Sequence, residues 1–241
     1  MRFEVSKEYI DNTTVMIVRP VEKLSDTEYD NIKFTVEGMG GHWRERVNGF
    51  VFYNAYIQRT VEHKVKEDLQ FFPTPKSVAN RVAELSGIRD LLHMNLRILE
   101  PSAGDGALLR KLPLATNHKY TVIEPYEPNV KKLKKLGFSV LKCSFEEYCQ
   151  NTTDKFTHII MNPPFSRSRD VIHVMKAYDL LEKGGRLVAI ISENSMYYSN
   201  KYSVAFSEWL KNVNATIEPV SPGSFKESGT MVDTVIIVIN K

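Results

Sequence analysis

The feature that constrains the fold most is a short apolar strand that ends at two consecutive prolines. Residues Thr157–Met161 are mostly apolar or β-branched and have the length of a strand, and Asn162, Pro163 and Pro164 follow directly. Proline has no backbone N–H to donate and fixes φ, so the strand must end there in a rigid, extended turn. Open α/β sheets bind ligands at the carboxyl ends of their strands. The sequence therefore predicts a site for a flat, amino-bearing ring at Asn162, beside the aromatic ring of Phe165.

The chain beyond about residue 70 alternates between strand-like and helix-like segments. Thr74 and Pro75 suit the cap and first residue of a helix, in which Val78, Val82 and Leu85 recur at helical spacing. The alternation predicts an α/β fold, with a mostly parallel seven-stranded sheet, helices on both faces and an antiparallel last strand. The predicted strands are Arg97–Glu100, Tyr120–Glu124, Val140–Cys143, Phe156–Met161, Arg186–Ser192, Ala215–Pro219 and Thr234–Asn240, and the predicted helices after the first are Ala107–Leu112, Asn129–Leu136, Val171–Glu182 and Val204–Lys211.

Residues 1–66 have a different pattern and are predicted to form a small N-terminal α+β module, separate from a domain over residues 67–241. Asn48-Gly49 between two β-prone runs predicts a hairpin, because both turn residues would take positive φ. A capping box at Ser25–Glu28 predicts the start of a helix. Two interpretations of the hairpin stay open: its arginines and aromatic rings bind nucleic acid, or the rings form a small core beneath solvated arginines. The residues concerned are Trp43, Arg44, Arg46, Phe50 and Phe52.

Composition and charge bear on location and partners. No run approaches the ~20 consecutive apolar residues of a membrane span, and the first residues lack the apolar core of a secretion signal. The two cysteines, Cys143 and Cys149, indicate neither a disulfide framework nor a zinc site, so a cytoplasmic location is expected. The net charge of +3 permits a polyanionic partner without requiring one.

A glycine turn and two acids lie where a parallel sheet would bind a ligand. Gly104 and Gly106 follow the strand that ends at Glu100, and their lack of a Cβ allows a sharp turn and a close approach. The spacing lacks the third glycine of the dinucleotide fingerprint and the Lys-Ser/Thr of a P-loop. Glu100 favours a cation over a pyrophosphate, and Glu124, at the next strand end, can accept two ribose hydroxyls. These residues predict a positively charged adenosine ligand, a description that S-adenosylmethionine fits.

The same residues resemble three motifs of class I S-adenosylmethionine-dependent methyltransferases, which have a Rossmann-like fold. Glu100–Gly106 resembles the glycine-rich motif I, and Phe72–Pro75 resembles the amino-terminal motif X. Asn162–Phe165, the NPPF sequence, resembles motif IV of the branch that methylates exocyclic amino groups, above all the DNA N6-adenine methyltransferases. The amino-acid sequence of motif I is most similar to that of small phage- or plasmid-borne members of this family. The resemblance covers roughly residues 68–241.

The resemblance implies S-adenosylmethionine as the cofactor. Thr74 and the glycine turn would hold its methionine half, and Glu124 its ribose. The family usually has an Asp where Ser144 stands, to read the adenine amino group, so weaker affinity is expected, with Phe145 packed near the ring. The implied cofactor-binding residues are Phe72, Thr74, Glu100, Pro101, Ser102, Ala103, Gly104, Gly106, Glu124, Pro125, Ser144, Phe145 and Asn162.

The resemblance also implies a mechanism. The Asn162 side-chain oxygen and the Pro163 carbonyl would accept the hydrogens of an adenine amino group, whose lone pair then attacks the sulfonium methyl without a metal. The target base would be flipped out of a duplex or already single-stranded. The implied catalytic residues are Asn162, Pro163, Pro164 and Phe165. The implied substrate-binding residues are Phe165 and Phe225, stacked on the base, and a rim with Arg167, Arg169, Tyr197, Tyr198, Lys201 and Tyr202.

Several alternatives stay open for the partner, for which DNA is the first expectation. Enzymes that methylate adenine or guanine N2 in RNA, or glutamine amides in release factors, also use Asn-Pro-Pro-aromatic sequences. The departure at Ser144 leaves room for a non-catalytic nucleic-acid-binding subunit. Phe225 could simply fill a loop, and the basic and aromatic rim could be a solvated loop.

Overall fold

A computed structural model describes residues 3–10, 13–21, 42–52, 72–165, 168–197 and 201–241 of the chain. It divides into two compact units, Met1–Leu69 and Gln70–Lys241. This division lies a few residues beyond the domain boundary expected at residue 66. The first unit contains a four-stranded sheet and the second a seven-stranded sheet.

The sheet of the first unit is antiparallel throughout. Val15 and Ile17, in the middle of one of its strands, lie in one buried apolar cluster with Val51. The strands are β1 (Phe3–Ile10), β2 (Thr13–Pro20), β3 (His42–Arg44) and β4 (Gly49–Phe52), in the spatial order β1-β2-β4-β3.

The predicted hairpin is present as β3 and β4, but the prediction of positive φ at both turn residues is wrong. A 3₁₀ turn covers Glu45–Val47, and Asn48 follows it in the left-handed region with a φ of 48°. Gly49 pairs with Arg44 inside the sheet, and a Cβ on it would lie 2.8 Å from Cγ2 of Ile17. This glycine is therefore required by close packing against β2 rather than by the conformation of a turn.

The hairpin side chains follow the second of the two interpretations. Phe50 and Phe52 are buried, and the Trp43 ring packs edge-on against Phe50 with a centroid separation of 5.0 Å. Arg44 and Arg46 are exposed. Buried rings offer no face for a base to stack on, so the aromatic residues form a small core while the two arginines reach solvent. The helix start predicted at residues 25–28 lies outside the described residues.

The second unit is an α/β domain, and its sheet confirms the predicted fold class. The strands are β5 (Arg97–Glu100), β6 (Lys119–Ile123), β7 (Val140–Leu141), β8 (Phe156–Met161), β9 (Leu181–Ser192), β10 (Thr216–Pro219) and β11 (Thr234–Asn240). The helices are α1 (Lys76–Ser86), α2 (Glu127–Lys135), α3 (Phe145–Asn151), α4 (Arg169–Leu180), α5 (Asn194–Tyr197) and α6 (Lys201–Asn212). The spatial order is β10-β11-β9-β8-β5-β6-β7, and the last strand, β11, runs antiparallel to both of its neighbours.

Apolar clusters cover both faces of this sheet. In β8, Ile159 and Met161 pack with side chains of α4 and α6, whereas Ile160 lies in the opposite cluster with side chains of α1. Central strands that are buried on both faces must be apolar at successive positions, which is why β8, β9 and β11 appear in the sequence as continuous apolar runs.

Two predicted elements differ from the structure. The helix expected over residues 107–112 is only a 3₁₀ turn, Leu109–Lys111. Leu112 precedes Pro113 and is extended, with a ψ of 150°, so the turn cannot continue as a helix. The fifth strand of this sheet, β9, begins at Leu181 rather than Arg186, because Leu181 pairs with Phe156 across a shift in register.

None of the described helices is long and apolar enough to cross a membrane. Among the described residues there is no group of three or more His, Cys, Asp or Glu side chains that could hold a metal ion.

Candidate active site at the carboxyl edge of the large sheet

The predicted motifs meet at one edge of the large sheet. Strand β5 lies between β6 and β8, and all three strands are parallel. Glu100, Glu124 and Asn162 end or directly follow these strands, so all three residues lie at the carboxyl edge. Neighbouring strands are about 4.8 Å apart, which places the ends of β5 and β8 one strand spacing from each other.

Glu124 organises the turn that follows β5. Its Oε2 accepts a hydrogen bond from the Gly104 N–H at 2.7 Å, and its Oε1 accepts one from the Tyr126 N–H at 2.8 Å. Each carboxylate oxygen has about two lone-pair sites, so both oxygens can still accept the hydrogen of a ligand hydroxyl. The structure thus explains why an acid at the end of β6 is paired with a glycine in the β5 turn.

Gly104 and Gly106 are required by the backbone of this turn. Both are in the left-handed region, with φ of 54° and 88°. A Cβ on Gly106 would lie 3.0 Å from side-chain carbons of both Leu133 and Leu136. The turn therefore packs directly against α2 and the residue after it.

Glu100 and Glu124 are both buried, with exposures of 1% and 5%. Burial raises the pKa of Glu124 to about 7, although the hydrogen bonds from Tyr126 and Gly104 lower it. Burial also raises the pKa of Glu100 well above its usual range, and the neighbouring charge of Glu124 adds to this effect. The Glu100 Oε2 is buried and has no hydrogen-bond partner among the described residues. A cationic ligand would stabilise the ionised form of both acids, so the pair fits a ligand with a positive charge.

Asn162 is held by two acceptors that precede α1. Its Nδ2 donates to Oγ1 of Thr74 at 3.0 Å and to the Phe72 carbonyl at 3.4 Å. A carbonyl oxygen can only accept, so this pair of contacts determines which end of the amide is the NH₂ group. The Oδ1 atom is buried and has no partner among the described residues. The amide therefore keeps one acceptor for an N–H group of a substrate.

Phe165 and Phe225 lie close together, but their rings are not parallel, so a base cannot stack between them. Their ring centroids are 6.5 Å apart and their planes are 76° apart, an edge-on arrangement. Phe225 is 2% exposed and lies in the apolar cluster that includes Ile160 and Val188. It is the one buried residue of the connection over residues 220–233, so it anchors that loop. This contradicts the predicted sandwich and supports the alternative in which Phe225 fills a loop.

Ser144 and Phe145 have structural roles in place of the predicted contacts with an adenine. The Ser144 hydroxyl accepts from the Glu147 N–H at 3.2 Å, and the Glu147 carboxylate accepts from the Ser144 backbone N–H at 2.7 Å, which completes a capping box for α3. Phe145 is 2% exposed and packs edge-on against His173. The sequence carried this signal, because Ser144 and Glu147 have the spacing of a capping box.

The structure places the remaining predicted residues as follows. The turn after β5 contains Pro101, Ser102 and Ala103, and Pro125 follows Glu124. Beside Asn162, Pro163 is buried and Pro164 is partly buried. Arg169 is the first residue of α4. Arg167 and Tyr198 lie outside the described residues, as do the side chains of Tyr197, Lys201 and Tyr202.

One acid at this edge was missed by sequence reasoning. Asp170, in the first turn of α4, is fully buried, and burial raises its pKa. Its Oδ2 accepts from the Ser192 N–H at 3.0 Å and from the Ser195 hydroxyl at 2.6 Å. It therefore ties the first turn of α4 to the end of β9 and to α5. The partners are 22 and 25 residues away in the sequence, too far for any local pattern to indicate them.

Comparison with solved structures identifies the class of fold. The methyltransferase subunit of a type I restriction-modification system from Streptococcus thermophilus matches with a TM-score of 0.60 and 15% identity, covering 77% of this chain and 48% of that chain. A structure of a type I restriction-modification complex matches with a TM-score of 0.55 and 15% identity, covering 77% and 47%. A candidate class I S-adenosylmethionine-dependent methyltransferase from Listeria monocytogenes gives a TM-score of 0.55 and 13% identity, covering 77% and 67%.

The chain thus has the fold of the class I S-adenosylmethionine-dependent methyltransferases, and it spans about half the length of the first two of these structures. No protein-family model and no curated protein sequence match the chain.

Proposed function

We propose that this protein transfers a methyl group from S-adenosylmethionine to the exocyclic N6 amino group of adenine in DNA. The observation that carries the proposal is the Asn162 amide, whose Nδ2 is bonded within the protein while its Oδ1 is left without a partner. This amide lies one strand from the β5 end, which carries Glu100, and two strands from the β6 end, which Glu124 follows. The fold supports a methyltransferase, and the Asn-Pro-Pro-Phe sequence supports an amino group as the acceptor.

The residues at the ends of β5 and β6 fit the cofactor. The unpartnered Oε2 of Glu100 offers a carboxyl oxygen whose ionised form a cationic ligand would stabilise. Glu124 keeps lone pairs for the two ribose hydroxyls. When bound, the cofactor supplies an electrophilic methyl group on a sulfonium centre. Ser144 caps α3 and is not an Asp, so the amino group of the cofactor's adenine lacks the strong acceptor that an Asp would provide. We therefore expect modest cofactor affinity.

Asn162 and Pro163 have the main catalytic roles in this proposal. The lone pair of an adenine amino nitrogen is delocalised into the ring, which makes the nitrogen a weak nucleophile. The Asn162 Oδ1 and the Pro163 carbonyl would accept its two hydrogens and favour a tetrahedral nitrogen whose lone pair points at the methyl group. A nitrogen–carbon bond forms as the sulfur–carbon bond breaks, and the extra proton passes to water. Positioning and electrostatic stabilisation supply the rate.

The target base must leave a duplex or come from a single strand to reach this edge. Phe165 is partly buried and is the ring that we assign to stacking, whereas Phe225 holds the loop next to it. The first unit, residues 1–66 in our proposal, would contribute phosphate contacts through the exposed Arg44 and Arg46. Replacing both arginines by Ala should reduce the slope of DNA affinity against salt by about two, and an unchanged slope would make this unit purely structural.

A transfer assay with several acceptors tests the proposed function. The protein is incubated with methyl-labelled S-adenosylmethionine and duplex DNA, single-stranded DNA, tRNA, rRNA or protein, and the labelled product is analysed as nucleosides. We expect label in DNA as N6-methyladenine. Label found only in RNA, as N2-methylguanosine or N6-methyladenosine, would contradict the choice of DNA. Cofactor binding without transfer to any acceptor would favour a non-catalytic nucleic-acid-binding subunit.

A further inference from the structure

We propose that Thr74 is a positioning residue, which holds the Asn162 amide in place while the Phe72 carbonyl sets its orientation, so that its oxygen, rather than its NH₂ group, is presented to the substrate. The use of that oxygen rests on the proposed function. The fixed orientation of the amide stands on the contacts alone and is tested separately below.

The two acceptors that hold Asn162 lie on a stiff segment. Phe72 and Thr74 each precede a proline, and the residue before a proline is confined to extended backbone. Pro75 itself has a φ of −58° and a ψ of 147°. The segment therefore presents the Phe72 carbonyl and the Thr74 hydroxyl to the Asn162 Nδ2 with little conformational freedom. It reaches across 88 residues of sequence to do so.

The orientation of this amide determines what it can bind. In the observed orientation Nδ2 faces two acceptors, and Oδ1 is left as an acceptor. If the amide were rotated by half a turn, Oδ1 would face the Phe72 carbonyl and the NH₂ group would face the substrate. An amino group has two hydrogens to donate and a delocalised lone pair, so an NH₂ group in this place would give it no acceptor. Only one of the two orientations can assist methylation of an amino group.

The Thr74 contact is the shorter of the two, 3.0 Å against 3.4 Å for the Phe72 carbonyl. A hydroxyl can donate as well as accept, so the Phe72 carbonyl sets the orientation of the amide, and the shorter Thr74 contact holds the amide in place. Losing the Thr74 hydroxyl would leave the longer Phe72 contact to hold Nδ2, which would loosen the position of Oδ1. Small errors in position at a reacting group reduce rates by up to about 100-fold. The expected effect of removing the hydroxyl is therefore on the chemical step.

Kinetics separate this role from the cofactor contact that the sequence resemblance implied for Thr74. Thr74→Val keeps the shape and removes the hydroxyl, and Thr74→Ser is the matched control that keeps it. If Thr74 positions Asn162, Thr74→Val lowers kcat by about 10- to 100-fold at saturating S-adenosylmethionine while the cofactor Kd stays within about threefold, and Thr74→Ser retains most of the rate. If Thr74 acts on the cofactor, Kd rises instead and a high cofactor concentration restores kcat, which would overturn the proposal.

Hydrogen exchange of the Asn162 side-chain amide does not require enzymatic activity, so it tests the positioning role independently of the proposed function. The Asn162 side-chain NH₂ signal is identified in ¹⁵N-labelled protein by its loss in Asn162→Ala, and its hydrogen exchange is measured in each variant. We expect slow exchange in the wild type and Thr74→Ser, and at least about tenfold faster exchange in Thr74→Val. Equal exchange in all three would overturn the proposal. Thr74→Ala is the second variant if the valine destabilises the protein, as judged from the melting temperature.

A failure of the proposed function and a failure of the Thr74 positioning role give different results in these experiments. A wild-type protein that methylates no acceptor, but whose Asn162 amide exchanges faster only in Thr74→Val, refutes the proposed function and leaves the positioning role intact. A wild-type protein that methylates DNA, with Thr74→Val equal to wild type in both kcat and exchange, refutes the positioning role alone.

Discussion

The carboxyl and amino edges of the large sheet both carry ionisable side chains, but in different environments. At the carboxyl edge Glu100, Glu124 and Asp170 are buried, and burial raises the pKa of each. At the amino edge Arg97 forms an ion pair with Glu182 that is partly open to solvent. Among the described residues the buried acids thus have no cationic partner, whereas Arg97 and Glu182 form a complete ion pair.

From this difference we expect ligands to bind at the carboxyl edge, while the amino edge contributes to stability. Buried acids with raised pKa values have an unfavourable ionised form, which a bound cation stabilises, and such groups cluster at functional sites. Exposed ion pairs are screened by water and salt, and their contribution to stability is close to zero or about 1 kcal/mol. We therefore expect changes at the carboxyl edge to alter binding and catalysis, and changes at the amino edge to alter stability at most.

The largest effect is expected for Asn162→Ala. It removes the acceptor that would hold the target amino group, and loss of one such preorganised group reduces kcat by about 100- to 1,000-fold. The cofactor Kd, measured by calorimetry, should stay within about threefold of the wild type, since the cofactor contacts that we propose lie mainly at the ends of β5 and β6. Methyl transfer at a wild-type rate by this variant would remove Asn162 from the mechanism.

The next effect is the pH dependence of cofactor binding at Glu124. Its pKa of about 7 means that the carboxylate, to which we assign the ribose hydroxyls, is lost as the pH falls through neutrality. We expect affinity for S-adenosylmethionine to fall by up to about tenfold per pH unit below the pKa, with Glu124→Gln binding weakly at every pH. A pH-independent wild-type affinity between pH 5.5 and 8.5 would contradict this role.

The same carboxyl has a defined effect on the stability of the free protein. Because the folded pKa lies above the ordinary value of 4.5, the folded state holds the proton more tightly than the unfolded state. The free energy of unfolding should therefore be greater at pH 4.5 and decline as the pH rises through about 7, and this slope should be reduced in Glu124→Gln. Urea denaturation across this range measures it.

At the amino edge the expected effect is on stability alone. His158 in β8 is buried, and burial, with the charge of Arg186 and nearby His118, lowers its pKa from 6.5 to about 4. The unfolded state takes up this proton first as the pH falls, so the contribution is complete above pH 6.5 and is lost between pH 6.5 and 4. The loss should be on the order of 2 kcal/mol in the free energy of unfolding, and His158→Gln should remove this pH dependence. A change in cofactor affinity in this variant would contradict the expectation that changes at the amino edge alter stability alone.

The sheet could be predicted because its signals are local. Each strand of the second unit is marked by a short apolar run, the β5 turn by Gly104 and Gly106, and the end of β8 by the two prolines after Asn162. The capping box of Ser144 and Glu147 also has a local signal, because a Ser three residues before a Glu is the spacing of this motif.

The contacts within the site could not be predicted, because they join distant parts of the chain. Nothing near Thr74 indicates that its hydroxyl accepts from Asn162, and nothing near Phe225 indicates that the ring is buried against Phe165. Gly49 was assigned to a turn because its sequence neighbour favours one, while its actual constraint comes from Ile17 on another strand. Side-chain packing across the sheet decided each of these positions.

Calorimetric titration with S-adenosylhomocysteine, applied to the wild type, Glu124→Gln and Arg97→Ala, tests the central claim most directly. The account predicts saturable binding to the wild type, an affinity at least about tenfold weaker in Glu124→Gln, and an unchanged affinity in Arg97→Ala. An absence of binding at millimolar concentration, or an equal loss of affinity in the two variants, would contradict a cofactor site at the carboxyl edge.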